Sequence, residues 1–157
     1  MLTARILGKV MNMGYCITVA QYESISEKDL LQPIVFTKNN CSLQKQAISL
    51  NVMLAKELIK YNEVDRSTHI AECLLQLVQT LPKNSIIKDF DVLFNPAYAI
   101  DVLQILVLTC KQCNFKVIWP GTYKDGKLVY AEANSVDYKV YKIDDYDITC
   151  VIEEGWN

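Results

Sequence analysis

Residues 85–121 read Ser85-IIKDFDVLFNPAYAIDVLQILVLTCKQCNFKVIWP-Gly121. Ile86 and Ile87 lead into Asp89 and Asp91, which predicts a short buried strand with two aspartates at its carboxyl end. The nearly unbroken apolar run from Ile100 to Cys110 predicts a buried helix. Phe115 to Trp119 then predicts a second strand, stopped by Pro120-Gly121. A strand, a helix and a strand in this order make one parallel crossover of an α/β sheet. Ligands of such sheets bind beyond the carboxyl ends of the strands, so Asp89 and Asp91 are the first candidates for chemistry.

The chain around this block has 157 residues, enough for one domain spanning 1–157 with a single sizeable core. With 51% hydrophobic and 22% charged residues the composition is that of a soluble globular protein. No apolar run approaches the roughly 20 residues of a membrane helix. The start, MLTARILGKVMNMG, is broken by Arg5, Lys9 and Asn12 and does not read as a signal peptide, so a cytoplasmic protein is expected. A net charge of −2 gives no electrostatic footprint for nucleic acid.

Cysteines stand at 16, 41, 73, 110, 113 and 150, and nothing in the sequence points to an oxidising compartment. Cys110 and Cys113 are the one close pair. No second pair completes a zinc site, and both are expected to pack. His69, the only histidine, reads as a surface or partner contact.

Elsewhere the chain alternates. Tyr15 to Ala20 is β-rich, and Ser24 to Glu27 has the capping-box spacing that opens a helix through Lys28, Asp29 and Leu30. Pro33 ends it, and Ile34 to Phe36 is expected as an edge strand. A helix capped by Ser42 follows, with Ile48, Val52, Ala55 and Leu58 or Ile59 on one face. Ser67 opens another, striped by Ile70, Leu74, Leu77 and Val78, with Asn62, Glu63 and Asp65 in the connection. Three strands close the chain, over 127–131, 138–143 and 148–152, and Asp125-Gly126 is the turn before the first.

Four stretches resemble one family. LNVMLAKELIKYNEVDRSTHIAECLLQLV at 50–78, FDVLFNP at 90–96, WPGTYKDGKLVYAE at 119–132, and Asp137, Tyr138 and Tyr141 look like BrxF, the small P-loop protein of type 3 BREX anti-phage defence systems. The resemblance spans about residues 15–152, and the WPG-x-Y-x-DG-x-L-x-YAE pattern is its most distinctive part. It implies a P-loop-NTPase-like α/β fold: a mostly parallel sheet flanked by helices, with a β-hairpin-rich C-terminal part. It also implies a subunit working beside other defence-system proteins, any DNA contact being made through those partners.

A phosphate loop needs glycines for close backbone approach, a lysine for the terminal phosphates and a Ser or Thr for magnesium. After the strand at 15–20, Lys28 stands at the lysine position. Tyr22 and Glu27 replace the glycines, and Asp29 replaces the Ser or Thr. Lys28 and Asp29 are therefore the candidate ATP contacts of a degenerate site. Asp89 is the candidate magnesium ligand, and Asp89 with Asp91 the candidate catalytic pair. A functioning Mg-dependent ATPase is the alternative. Two further readings are a metal nuclease built on Asp89, Asp91 and Glu132 and an interaction module. The latter would use Tyr123, Tyr130, Tyr138, Tyr141 and Tyr146, which lie among acidic residues. Asp101 reads as an acidic first-turn residue of its helix.

Overall fold

The computed structural model describes residues 13–37 and 41–153, together with a small antiparallel ladder of β1 (Arg5–Ile6) and β2 (Lys9–Val10). The reading of the first residues as a signal peptide or not therefore falls largely outside the described residues. Six strands form one parallel sheet. They are β3 (Tyr15–Thr18), β4 (Ile34–Phe36), β5 (Ile48–Ser49), β6 (Ile86–Lys88), β7 (Lys116–Ile118) and β11 (Thr149–Ile152), in the spatial order β3-β11-β4-β7-β6-β5. Between β7 and β11 the chain forms a separate antiparallel sheet of β8 (Thr122–Lys124), β9 (Lys127–Tyr130) and β10 (Lys139–Lys142), in the order β10-β9-β8. Its first turn carries Asp125 at φ 49° and Gly126 at φ 78°, the two positive values that a tight hairpin turn demands.

Strands buried on both faces need apolar residues at successive positions. Val35, Ile87, Val117 and Cys150 face the larger core, with α3 (Asn51–Leu58), α4 (Glu63–Gln79) and α5 (Val102–Gln112). Their neighbours Ile34, Phe36, Ile86, Ile118 and Val151 face the other side. There Tyr22 of α1 (Val19–Ser24) and Leu43 of α2 (Cys41–Gln46) cover them. The block at 85–121 forms β6, α5 and β7 as expected, with β6 and β7 paired in parallel.

Several boundaries differ from those expected. The first strand stops at Thr18, whose Oγ1 accepts from Gln21 N while Gln21 Oε1 accepts from Thr18 N. This reciprocal capping box starts a helix six residues before the Ser24 box that the spacing suggests. Residues 27–29 make only a 3-10 turn. The single helix expected from Ser42 to Ile59 is interrupted, because Ile48 pairs with Ile87 and adds β5 to the sheet. Consequently Leu50, Leu54 and Leu58 face the core, and Val52 and Ile59 are 66% and 68% exposed. α4 starts at Glu63, one turn before Ser67, with Glu63 and Asp65 favourably placed in its positive first turn. Ile34–Phe36 is an interior strand between β11 and β7, not an edge.

Topology locates the sheet's switch point. After β4 the chain moves past β7 and β6 to the β5 edge. After β7 it crosses back past β4 to β11. Neighbouring strands β4 and β7 thus send the chain in opposite directions, which opens a crevice at their carboxyl ends.

Candidate ligand site at the carboxyl ends of the strands

A cavity of about 390 Å³ lies there, lined by Gln44, Lys88, Asp89, Asp91, Ile118, Trp119, Pro120 and Gly121. Its walls come from α2 and from the ends of β6 and β7. Lys88 follows Ile86 by two residues and so projects to the same face, toward α2. Its ammonium donates to Gln44 O at 3.3 Å and Gln44 Oε1 at 3.0 Å.

Asp89 ends the strand with φ 51°, a left-handed conformation that aspartate tolerates better than most residues, and its side chain is exposed. Asp91 is differently placed. Its Oδ2 accepts from Tyr130 Oη at 2.9 Å and its Oδ1 from Asn51 Nδ2 at 3.3 Å, while Asn51 Oδ1 accepts from Val92 N at 3.0 Å. Asp91 therefore joins β9 to the start of α3. Burial, and then the hydrogen bond to Asp91, push the Tyr130 phenol well above its ordinary pKa, so the phenol keeps its proton and remains the donor.

The WPG segment is built around one carbonyl. Trp119 Nε1 donates to Val129 O at 3.0 Å, and a Cβ on Gly121 would stand 1.9 Å from that same oxygen. Only glycine allows β7 to turn into β8 so close to β9. Phe94 stacks on Tyr130 at 3.7 Å between ring centres and meets Trp119 edge-on at 5.7 Å. This aromatic layer fixes the antiparallel sheet against the strand ends.

The other sequence candidates lie elsewhere. Lys28 and Asp29 are exposed in the 27–29 turn. Glu27 beside them pairs with Lys116 Nζ at 3.2 Å and accepts from the Tyr22 hydroxyl. Lys116 is the first residue of β7, so this turn sits at the amino end of the sheet, opposite Asp89. The structure brings Asp89 and Asp91 to one cavity and keeps Lys28 and Asp29 apart from them. Asp101 caps α5 through Gln104 N at 3.0 Å and accepts from Tyr146 Oη at 2.7 Å. Glu132 is exposed and joins no carboxylate cluster among the described residues. His69 stacks on Tyr61 at 3.9 Å and lies 3.5 Å from Glu72.

Lys88, Gln44 and Asn51 escape sequence reasoning because their roles depend on α2 and α3 flanking β5, a break that helical periodicity conceals. The one available signal is the position of Lys88 immediately before the strand-end aspartate.

The donors at the cavity are few for a magnesium–triphosphate centre. A single ammonium, already shared with Gln44, faces two carboxylates, and one of these has both oxygens hydrogen-bonded. No group of three or more His, Cys, Asp or Glu side chains among the described residues could hold a metal ion. The segment leaving β4 toward α2 reads Thr37-Lys38-Asn39-Asn40-Cys41-Ser42 and contains no glycine. What the cavity offers is one ammonium, one exposed carboxylate and the main chain of residues 118–121, suited to a small polar ligand or a partner's polar side chain. No helix among the described residues is long and apolar enough to cross a membrane. No protein-family model, curated protein or solved structure matches the chain.

Proposed function

We propose that the chain is a P-loop-NTPase-like subunit of a BREX-type anti-phage defence complex in the bacterial cytoplasm. Its nucleotide site is degenerate, and its role is assembly or regulation. The observation that carries this reading is the mismatch between place and chemistry at the switch point. A strand, a connection and a helix run from β4 into α2 beside a strand-end aspartate, as in a phosphate site. Yet that connection has no glycine, and Asp91 is committed to Tyr130 and Asn51. A hydrolytic site needs backbone amides that wrap the phosphates and a carboxylate free to orient water. The partners are the other proteins of the defence system, and DNA is reached through them.

The second reading, a working Mg-dependent ATPase, is favoured by Lys88 and Asp89 standing together at the cavity. Titration calorimetry and steady-state hydrolysis with ATP and magnesium distinguish the two. The degenerate site predicts no turnover, and co-purification with the proteins encoded beside it. Turnover abolished by Asp89→Asn but unchanged by Lys28→Ala would establish the ATPase instead.

A further inference from the structure

Cys16 and Cys150 are direct register partners on the adjacent parallel strands β3 and β11. Side chains alternate across a sheet, so register partners project from the same face. Neighbouring strands are about 4.8 Å apart. That spacing lies within the roughly 4.4–6.8 Å between Cα atoms that a disulfide spans. The two thiols are unequal. Cys150 is fully buried, whereas Cys16 is half-buried and lines a second cavity of about 210 Å³ with Gly14, Asp125, Gly126, Lys127 and Lys142. Tyr123 Oη lies 3.8 Å from Cys16 Sγ and accepts from Gly126 N at 3.2 Å, which ties the thiol to the β8–β9 turn.

Among the described strand pairings no other sets two cysteines in register. Cys73 and Cys110 are buried, and burial pushes both thiols up. Cys110 instead donates to Phe115 O at 3.5 Å, consistent with a packing role.

We propose that Cys16 and Cys150 form a peroxide-oxidised thiol pair, with Cys16 as the attacking thiol and Cys150 as the resolving one. The Cys16 thiolate attacks the terminal oxygen of a hydroperoxide and the O–O bond breaks. Cys16 becomes a sulfenic acid, and the departing alkoxide or hydroxide takes a proton from solvent to leave as alcohol or water. The Cys150 thiol then attacks the Cys16 sulfur. The S–O bond breaks, water leaves with the thiol proton, and the S–S bond forms. The two thiols lose two electrons in all, and the peroxide gains them.

The chemistry suits the surroundings. Hydrogen bonding to the Cys150 thiol lowers the Cys16 pKa, against opposing burial and with a smaller contribution from Tyr123, while burial and then that same hydrogen bond push the Cys150 thiol up, so Cys16 is the thiolate of the pair and Cys150 keeps its proton. The charged groups around the cavity are Asp125, Lys127, Lys142 and Asp144, two of each sign, so they do not oppose a thiolate by net charge. Oxidation would pin the edge strand β3 to β11 and close a loop containing nearly the whole chain.

The test treats the reduced protein with hydrogen peroxide, followed by peptide mass spectrometry without reduction. A Cys16–Cys150 cross-linked peptide is expected. Cys150→Ser should instead accumulate a Cys16 sulfenic acid that dimedone traps, and Cys16→Ser should show neither product. Cys150→Ala serves as a second variant if the serine is not tolerated in the core, with slower formation of the Cys16 sulfenic acid expected because the hydrogen bond to Cys16 is lost, and with circular dichroism confirming the fold. Two results overturn the proposal: a cross-link joining other cysteines, or alkylation of wild-type Cys16 by iodoacetamide at neutral pH no faster than that of Cys73 and Cys110.

Discussion

Replacing Tyr130 by phenylalanine removes one oxygen and leaves the ring stacked on Phe94 as before. The lost interaction is the 2.9 Å hydrogen bond to Asp91 Oδ2, made by a side chain that is only 8% exposed. Hydrogen bonds to charged groups contribute about 1.5–3 kcal/mol. Asp91 is half-buried, so water can partly replace the phenol and the loss belongs near the lower end of that range. A loss of about 1–2 kcal/mol in a chain of this size lowers the melting temperature by about 2–8 °C. The pH dependence adds a second signature. The folded phenol binds its proton more tightly than the unfolded one does, so its contribution is fully present below about pH 10, the ordinary tyrosine value, and falls as pH rises further. The Tyr130→Phe variant has nothing to ionise at this position. The gap between wild type and variant should therefore narrow above about pH 10, by at most about 1.4 kcal/mol per pH unit. Urea unfolding followed by circular dichroism between neutral pH and about pH 11 measures both effects. An unchanged midpoint at neutral pH, or a gap that stays constant through the alkaline range, refutes the role assigned to the Tyr130–Asp91 bond.

Gly121→Ala should destabilise by about 1–3 kcal/mol or more, since its Cβ would force the β7–β8 corner away from Val129 O at 1.9 Å; differential scanning calorimetry reads the shift, and a neutral result contradicts that close approach. Leu54→Ala should cost about 2–5 kcal/mol and Val52→Ala about 0.5 or less, because the first is fully buried and the second 66% exposed. Equal losses in chemical denaturation would instead support the face that helical periodicity suggests for this segment.

The parts of the fold legible in the sequence are those whose burial pattern is continuous. Ile86-Ile87 and residues 117–119 are buried with both faces of the sheet covered, so they read as apolar runs without alternation, and the helix at 102–112 is legible from its length and from the buried Val102, Leu103, Leu106, Val107 and Cys110, although Leu108 is exposed. Asp125-Gly126 is legible because a turn with two positive φ values selects those residues. The errors cluster where elements are short. β5 has two residues, and the Ile48-Ser49 pair that forms it fits the stripe of a continuous helix equally well. Pairing to Ile87, a contact far away in sequence, outweighs local periodicity there.

That missing strand also shifts where the sequence places the sheet's switch point. With β5 absorbed into a helix, Ile34–Phe36 looks like an edge strand, and the first β-rich run becomes the natural start of the sheet's nucleotide half. In the folded chain β3 is the edge strand, β4 is interior, and the switch point follows β4. Lys28 therefore follows an edge strand and lies away from the switch point, whereas Asp89 ends a strand beside it. The distinction between Asp89 and Asp91 is not available to any sequence argument. Two residues apart, they share one cavity, but Tyr130 and Asn51 reach Asp91 from 39 and 40 positions away, and they reserve it for holding the antiparallel sheet onto the strand ends. The same bonds make the site's chemistry and the fold's cohesion compete for one carboxylate, so a substitution that freed Asp91 for a ligand would loosen the antiparallel sheet from the strand ends beside the cavity.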